Sequence, residues 1–240
     1  NNNERNYLVA QNKAICQLYL RNYTKSISSL REMNDCFLQN IDAIFSNFTG
    51  LERENYWQIV SRELIFTNNL IAYHTDASDA ISIAYDNTIF CKTLLANSSN
   101  IFDKFAMKSS NSDMRVLYSR YKELKNRLAY KTNSASERDS LIWDITDIER
   151  TLLSSMGNLG KRLRDMARTW QDVKASLNDD EISIEFCYAP IMEHYPDVQP
   201  YYGAFVMRKD FDHPVLVSLE NVDSVEAVFG DIESDELLIN

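Results

Sequence analysis

The stretch Leu177-Asn-Asp-Asp-Glu181-Ile-Ser-Ile-Glu185-Phe-Cys-Tyr188 divides the chain into two kinds of sequence. Asn178 to Glu181 carries no apolar residue and breaks whatever precedes it. From Ile182 the pattern alternates: Ile182, Ile184, Phe186 and Tyr188 fall on one face, and Ser183, Glu185 and Cys187 on the other. A period of two predicts a β-strand. Downstream, Tyr201-Tyr-Gly-Ala-Phe-Val-Met-Arg-Lys209 and Val215-Leu-Val-Ser-Leu219 read as two more strands. The short turn between them, Asp210-Phe-Asp-His-Pro214, predicts an antiparallel hairpin. A Pro-bearing loop spans Ala189 to Pro200, and Ser224 to Ile232 reads as a short helix.

Upstream of the break there is no proline, and glycine occurs only at Gly50, Gly157 and Gly160. Apolar residues there recur every three or four positions, which places them on one stripe of a helix. One stripe runs Ile27, Leu30, Met33, Phe37, Ile41, Ile44 and Phe48; another runs Met114, Leu117, Tyr121, Leu124 and Leu128. A third runs from Leu141 through Ile145, Ile148, Leu152, Met156, Leu159 and Leu163 to Met166. Shorter stripes run from Leu8 to Tyr23, through Trp57, Val60, Leu64 and Ile71, and through Ile83, Phe90 and Leu94. Ser110-Asn-Ser-Asp113, Ser136-Glu-Arg-Asp139 and Thr169-Trp-Gln-Asp172 have the spacing of a capping box. Polar runs at Asn97–Asn100, Lys108–Ser112 and Lys131–Ser136 read as loops. The expectation is about six or seven helices on short connections, with neighbours antiparallel.

The fold class is therefore α+β and mostly α: an antiparallel helical bundle or TPR-like hairpins over residues 1–178, then a small three-stranded segment within 179–240. A chain of 240 residues is long enough to bury a core without disulfides. Residues 179–240 hold two basic and 15 acidic residues, so the net charge of −10 sits at the C-terminal end. Such a surface disfavours nucleic acid, whose phosphates need clustered Lys and Arg. No apolar run is long enough to span a membrane. Cys16, Cys36, Cys91 and Cys187 lack metal-ligand spacing and read as free thiols of a reducing, cytoplasmic setting. The chain opens Asn1-Asn2-Asn3 without Met, as a piece of a longer protein would.

Candidate chemistry is sparse. Cys187 and His194 are close in sequence, but a nucleophilic thiol needs an electropositive setting, and this region is acidic. Cys187 reads as an ordinary thiol, with a stand-alone hydrolase built on Cys187 and His194 as the alternative. Glu185 reads as a carboxylate with a structural partner. Asp231, Glu233, Asp235 and Glu236 read as a solvated acidic tail, since the glycine and closing glutamate of a calcium loop are missing. Trp57, Trp143 and Trp170 read as core aromatics rather than a peptide groove. No catalytic, cofactor-binding or metal-binding residue is assigned.

Thr169-Trp170-Gln-Asp-Val173, then Leu177, Glu181-Ile-Ser-Ile-Glu185-Phe186, Tyr202-Gly-Ala-Phe-Val-Met-Arg208-Lys209 and Pro214-Val-Leu-Val-Ser-Leu219 together resemble the approach to the first strands of CHAT-domain proteins. These are caspase- and separase-like proteins in which a helical TPR array precedes the CHAT domain. Upstream, Glu52-Arg-Glu-Asn-Tyr-Trp57, Ala84-Tyr-Asp-Asn87 and Tyr121-Lys-Glu-Leu-Lys-Asn-Arg-Leu128 resemble the family's helical segment between repeats and protease-like domain. The resemblance covers roughly residues 45–220 and gives Trp170, Glu181, Glu185, Tyr202 and Arg208 structural roles at motif positions. It implies a caspase-like cysteine peptidase site in the parent protein. The family's His-Gly and Ser-Ala-Cys motifs are absent: His74, His194 and His213 precede Thr75, Tyr195 and Pro214, and no cysteine follows Ser-Ala. The implied function is a non-catalytic helical interaction and regulatory platform leading into a truncated caspase-like domain, whose catalytic His and Cys follow residue 240. A structural scaffold of a catalytically dead parent is the weaker alternative. The implied partners are a protein or peptide on the helices and the remainder of the CHAT domain. Copies of the chain could also self-associate through an exposed strand edge in the Tyr202–Leu219 hairpin.

Overall fold

A computed structural model of the chain describes residues 2–130, 134–157, 159–189 and 201–219. Among the described residues there are eight helices: α1 (Asn2–Tyr19), α2 (Tyr23–Asn47), α3 (Gly50–Thr75), α4 (Ser78–Met107), α5 (Ser112–Ala129), α6 (Ala135–Met156), α7 (Leu159–Asp165) and α8 (Trp170–Ser176). A three-stranded antiparallel sheet follows, β1 (Ile182–Ala189), β2 (Tyr201–Arg208) and β3 (Val215–Leu219), in the order β1-β2-β3. The expected class, mostly helical with a small C-terminal sheet, is what the chain adopts. It forms two compact units: residues 1–64 with 89–168, and residues 65–88 with 169–240.

The first unit is helical. The stripe of α2 buries Ile27, Leu30, Met33, Phe37 and Ile41, joined by Phe45. Phe37 lies at its centre, with ring centroids 6.1 Å from Trp57 and 6.3 Å from Phe90. The Ser26 hydroxyl donates to the Ala14 carbonyl at 2.8 Å and ties α2 to α1. On α5, Met114, Tyr121 and Leu124 are buried, and Tyr121 meets Phe102 of α4 edge to face. On α6, Leu141, Ile145, Ile148, Leu152 and Met156 are buried.

Four readings of the sequence are corrected here. The stripe from Leu141 to Met166 is two helices, because Gly157 takes φ +75° and ends α6. The short stripe from Leu8 to Tyr23 is likewise interrupted, with Arg21 at φ 59° between α1 and α2. Asn97–Asn100 is no loop: α4 runs through it, and the Ser98 hydroxyl satisfies itself on the Leu95 carbonyl at 2.7 Å. Two of the three capping boxes shift. Asn111 caps α5 by accepting from the Asp113 N–H, and the box of α6 is Ser134 with Glu137, two residues earlier than read. The third, Thr169 with Asp172, stands as read and opens α8.

The second unit stacks the α3–α4 hairpin tip, residues 65–88, on one face of the sheet. Register pairs Glu185 with Phe205, Cys187 with Gly203 and Ser183 with Met207. These residues therefore share the face on which Phe205 and Met207 are fully buried. The opposite face carries Ile182, Ile184, Phe186, Tyr188, Val215 and Val217, and all six are exposed. The Pro-bearing loop beyond Ala189, His194, the Ser224–Ile232 helix and the acidic tail lie outside the described residues.

Candidate functional site

The residue types with the most chemistry gather where the sheet of the second unit meets the α3–α4 tip. Alternation along β1 sends Ser183, Glu185 and Cys187 to that side. The Ser183 hydroxyl is 2.9 Å from the Tyr85 hydroxyl of α4. Glu185 is half-buried, and its charge helps to raise the Tyr85 phenol, whose main perturbation is burial. On β2, Tyr201 is buried, stacks on Tyr73 of α3 at 4.2 Å and donates from its hydroxyl to the Asn69 carbonyl at 2.7 Å. The Asn69 amide reaches the Tyr188 carbonyl at 3.4 Å.

These contacts explain an unusual helical segment. From Phe66 to Ala72 every residue of α3 is buried, including Thr67, Asn68 and Asn69. The Asn69 amide nitrogen finds a partner in the Tyr188 carbonyl, while its Oδ1 is buried with no hydrogen-bond partner among the described residues. Sequence periodicity found Ile71 in this segment but missed Asn69, because the Asn68-Asn69 pair on a helix reads as solvent-facing.

Cys187 is buried on the helix-facing side, beside Tyr201. His194, its partner in the hydrolase alternative, lies outside the described residues. His213 sits in the β2–β3 turn with Nδ1 2.9 Å from the Pro214 carbonyl oxygen, and His74 follows Tyr73 on an exposed part of α3. Among the described residues no group of three or more His, Cys, Asp or Glu could hold a metal ion.

The five motif positions all fall in this unit but do not converge on one point. The Trp170 N–H, at the start of α8, donates to the Asp86 carboxylate of α4. Burial pushes Asp86 up to about 7, aided by Asp172 and opposed by that N–H. Glu181 accepts from the Asn178 N–H at 2.8 Å, which holds it below the usual carboxylate range. Tyr202 stacks on Tyr188 at 4.5 Å on the open face. Arg208 pairs with Asp210 at 3.0 Å and covers the Phe211 ring at 5.7 Å. Glu185 faces the helices, as described. Of the tryptophans read as core, Trp57 and Trp170 are half-buried but Trp143 is 72% exposed, because it lies off the Leu141–Ile145–Ile148 stripe of α6.

In the first unit the sequence also gave no sign of a buried ion pair. Arg53 of α3 and Glu149 of α6 are 2% and 3% exposed and meet at 3.1 Å. Glu149 also accepts the Gly50 N–H at 2.7 Å, and Arg53 donates to the Phe48 carbonyl at 2.7 Å. Burial raises Glu149 and lowers Arg53, while each partner opposes the other's shift. The arrangement fastens helices and presents no accessible group. Among the described residues no helix is long and apolar enough to cross a membrane. Comparison with models of known protein families, with curated proteins and with solved structures finds no match.

Proposed function

We propose that the chain is a non-catalytic helical interaction and regulatory platform that leads into the opening strands of a caspase-like domain. The observation that carries this reading is the fastening of the α3–α4 tip to the sheet, by Tyr201 on Asn69 and by Tyr85 with Ser183. A helical hairpin built into a sheet gives any event on its helices a mechanical route to the strands. Bond cleavage, with its His and Cys, belongs to sequence outside these residues. The stand-alone hydrolase is disfavoured because the Cys187 thiol is buried under the helices.

A protein or peptide partner binds the helical region, where Tyr19, Leu20 and Tyr23 offer exposed apolar side chains around the α1–α2 turn. The outer edges of β1 and β3 accept the remainder of the caspase-like domain, and in its absence they pair copies of the chain. The setting is the cytoplasm, in keeping with four free cysteines.

The test is a fluorogenic peptide library incubated with the purified chain. No iodoacetamide-sensitive cleavage is expected, and the Cys187→Ser variant should behave as the parent does. Cleavage that iodoacetamide and Cys187→Ser both abolish overturns the reading. The reading frame beyond Asn240 is a second test, and His-Gly followed by Ser-Ala-Cys is expected there.

A further inference from the structure

The helix α8 buries none of its residues. Its internal order comes from the capping box of Thr169 and Asp172. Two polar contacts tie it to the rest of its unit. The Trp170 N–H donates to the Asp86 carboxylate of α4, and the Lys174 ammonium donates to the Phe211 carbonyl of the β2–β3 turn. An element with so little buried surface opens before the rest of the fold does. It also leads directly into β1, which the neighbour of Asp86 holds: the Tyr85 hydroxyl lies 2.9 Å from that of Ser183.

The charges around Asp86 set the direction in which the first contact responds to protons. Asp86 is half-buried. Tyr85 precedes it on α4 and also faces Glu185 of β1. From α8 comes Asp172, a charge of its own sign. The β2–β3 turn carries Asp210, Asp212 and His213; Asp210 pairs with Arg208, and His213 Nδ1 lies against the Pro214 carbonyl oxygen. A seated α8 therefore covers Asp86 and sets a second carboxylate beside it, and both favour the neutral acid. The Trp170 N–H favours the anion, but a protonated carboxyl still has an oxygen to accept it. Burial prevails, and Asp86 is pushed up to about 7. Release removes the cover and Asp172 together, returning Asp86 to the carboxylate range of about 4.

We propose that α8 is a proton-controlled latch: it is seated on α4 while Asp86 is protonated and is freed when Asp86 ionises beside Asp172. What is freed is the segment that enters β1. This device belongs to α4 and α8 and stands independently of any caspase-like role.

The test is hydrogen exchange of single main-chain amides in the full chain, followed by NMR. The Trp170 N–H, in the first turn of α8, has no acceptor within its own helix, so its protection reports the seat on Asp86. Corrected for the intrinsic exchange rate, that protection should fall at least about tenfold from about pH 5 to about pH 8. It should stay well below the protection of Phe205, in the middle of the sheet, at every pH. Asp86→Asn should abolish the fall, and Asp172→Asn, which keeps a capping side chain, should reduce it. Lys174→Met should lower Trp170 protection about fivefold at every pH, because α8 leaves as a unit. Protection that does not change with pH, or that falls equally in Asp86→Asn, would overturn the proposal. So would Trp170 protection equal to that of Phe205, since α8 would then be freed only by unfolding of the whole. Indifference to Lys174→Met would overturn it too, by showing that the Trp170 contact opens alone. Should Asp86→Asn fail to fold, Asp172→Asn decides, and a fall as large as the parent's counts against the latch.

Discussion

The Tyr201 hydroxyl of β2 donates to the main-chain carbonyl of Asn69, 2.7 Å away in the middle of α3. A strand thereby holds a helix by its backbone, at a point where Tyr201 also stacks on Tyr73. Tyr201→Phe keeps the stack and loses only the hydroxyl, at a cost of about 1 kcal/mol. Tyr201→Ala removes both and costs about 3–5 kcal/mol. Urea unfolding followed by circular dichroism separates the two. Equal losses would show that the hydroxyl, and not the ring, carries the attachment.

Glu149 and Arg53 are both buried, so removing one leaves the other charged and unpartnered. Glu149→Ala should cost about 3–5 kcal/mol, and Arg53→Met with Glu149→Leu should recover most of it. The same denaturation measured on the single and double variants checks this. A double variant no better than Glu149→Ala would mean that shape, rather than charge, holds this site.

Asp86 should make stability depend on pH. Its carboxyl is pushed up to about 7 by burial, whereas in the unfolded chain it titrates in the ordinary carboxylate range. Folded protein therefore holds the proton more tightly. The stabilising contribution is fully present below about pH 4 and is lost as pH rises through about 7. Asp86→Asn still accepts from the Trp170 N–H and escapes the loss. It should be more stable than the parent by about 4 kcal/mol near pH 8 and no more stable near pH 4. Thermal melts of both proteins across that range provide the measurement, and parallel curves would refute the assignment.

Gly160 of α7 lies against α2. A Cβ there would stand 2.3 Å from the Asp42 Cα and 2.6 Å from the Ile41 carbonyl oxygen. That approach allows the Gly160 N–H to reach the Ser46 hydroxyl at 3.0 Å and Arg164 to pair with Asp42 at 2.7 Å. Backbone cannot yield as a flexible side chain can, so Gly160→Ala should cost about 1–3 kcal/mol. Gly157→Ala is strained by its φ of +75° and meets nothing within 4 Å. It isolates the backbone effect, at about 1 kcal/mol. Melting temperatures of the two variants should rank in that order.

Periodicity placed the helices well because each buried stripe repeats every turn, as from Ile27 to Ile41. It failed where one residue interrupts an otherwise continuous pattern. Gly157 splits the stripe that ends at Met166, and α4 runs unbroken through Asn97–Asn100, a run that reads as a loop. Neither outcome is written in hydrophobicity: the first depends on a left-handed backbone angle, and in the second the Ser98 hydroxyl finds its partner on the Leu95 carbonyl within the helix.

The sequence alone determined the helical composition, the three strands and the two sets of residues that share each face of β1, because side-chain direction follows from local backbone period. Which face the helices cover was decided only by the tertiary structure. Ser183, Glu185 and Cys187 turn inward beneath α3 and α4, while Ile184 and Phe186 turn outward. Alternation is symmetric between the two sides of a sheet. The choice falls to contacts distant in sequence, Tyr201 on Asn69 and Tyr85 on Ser183, which exist only once the chain has folded back on itself.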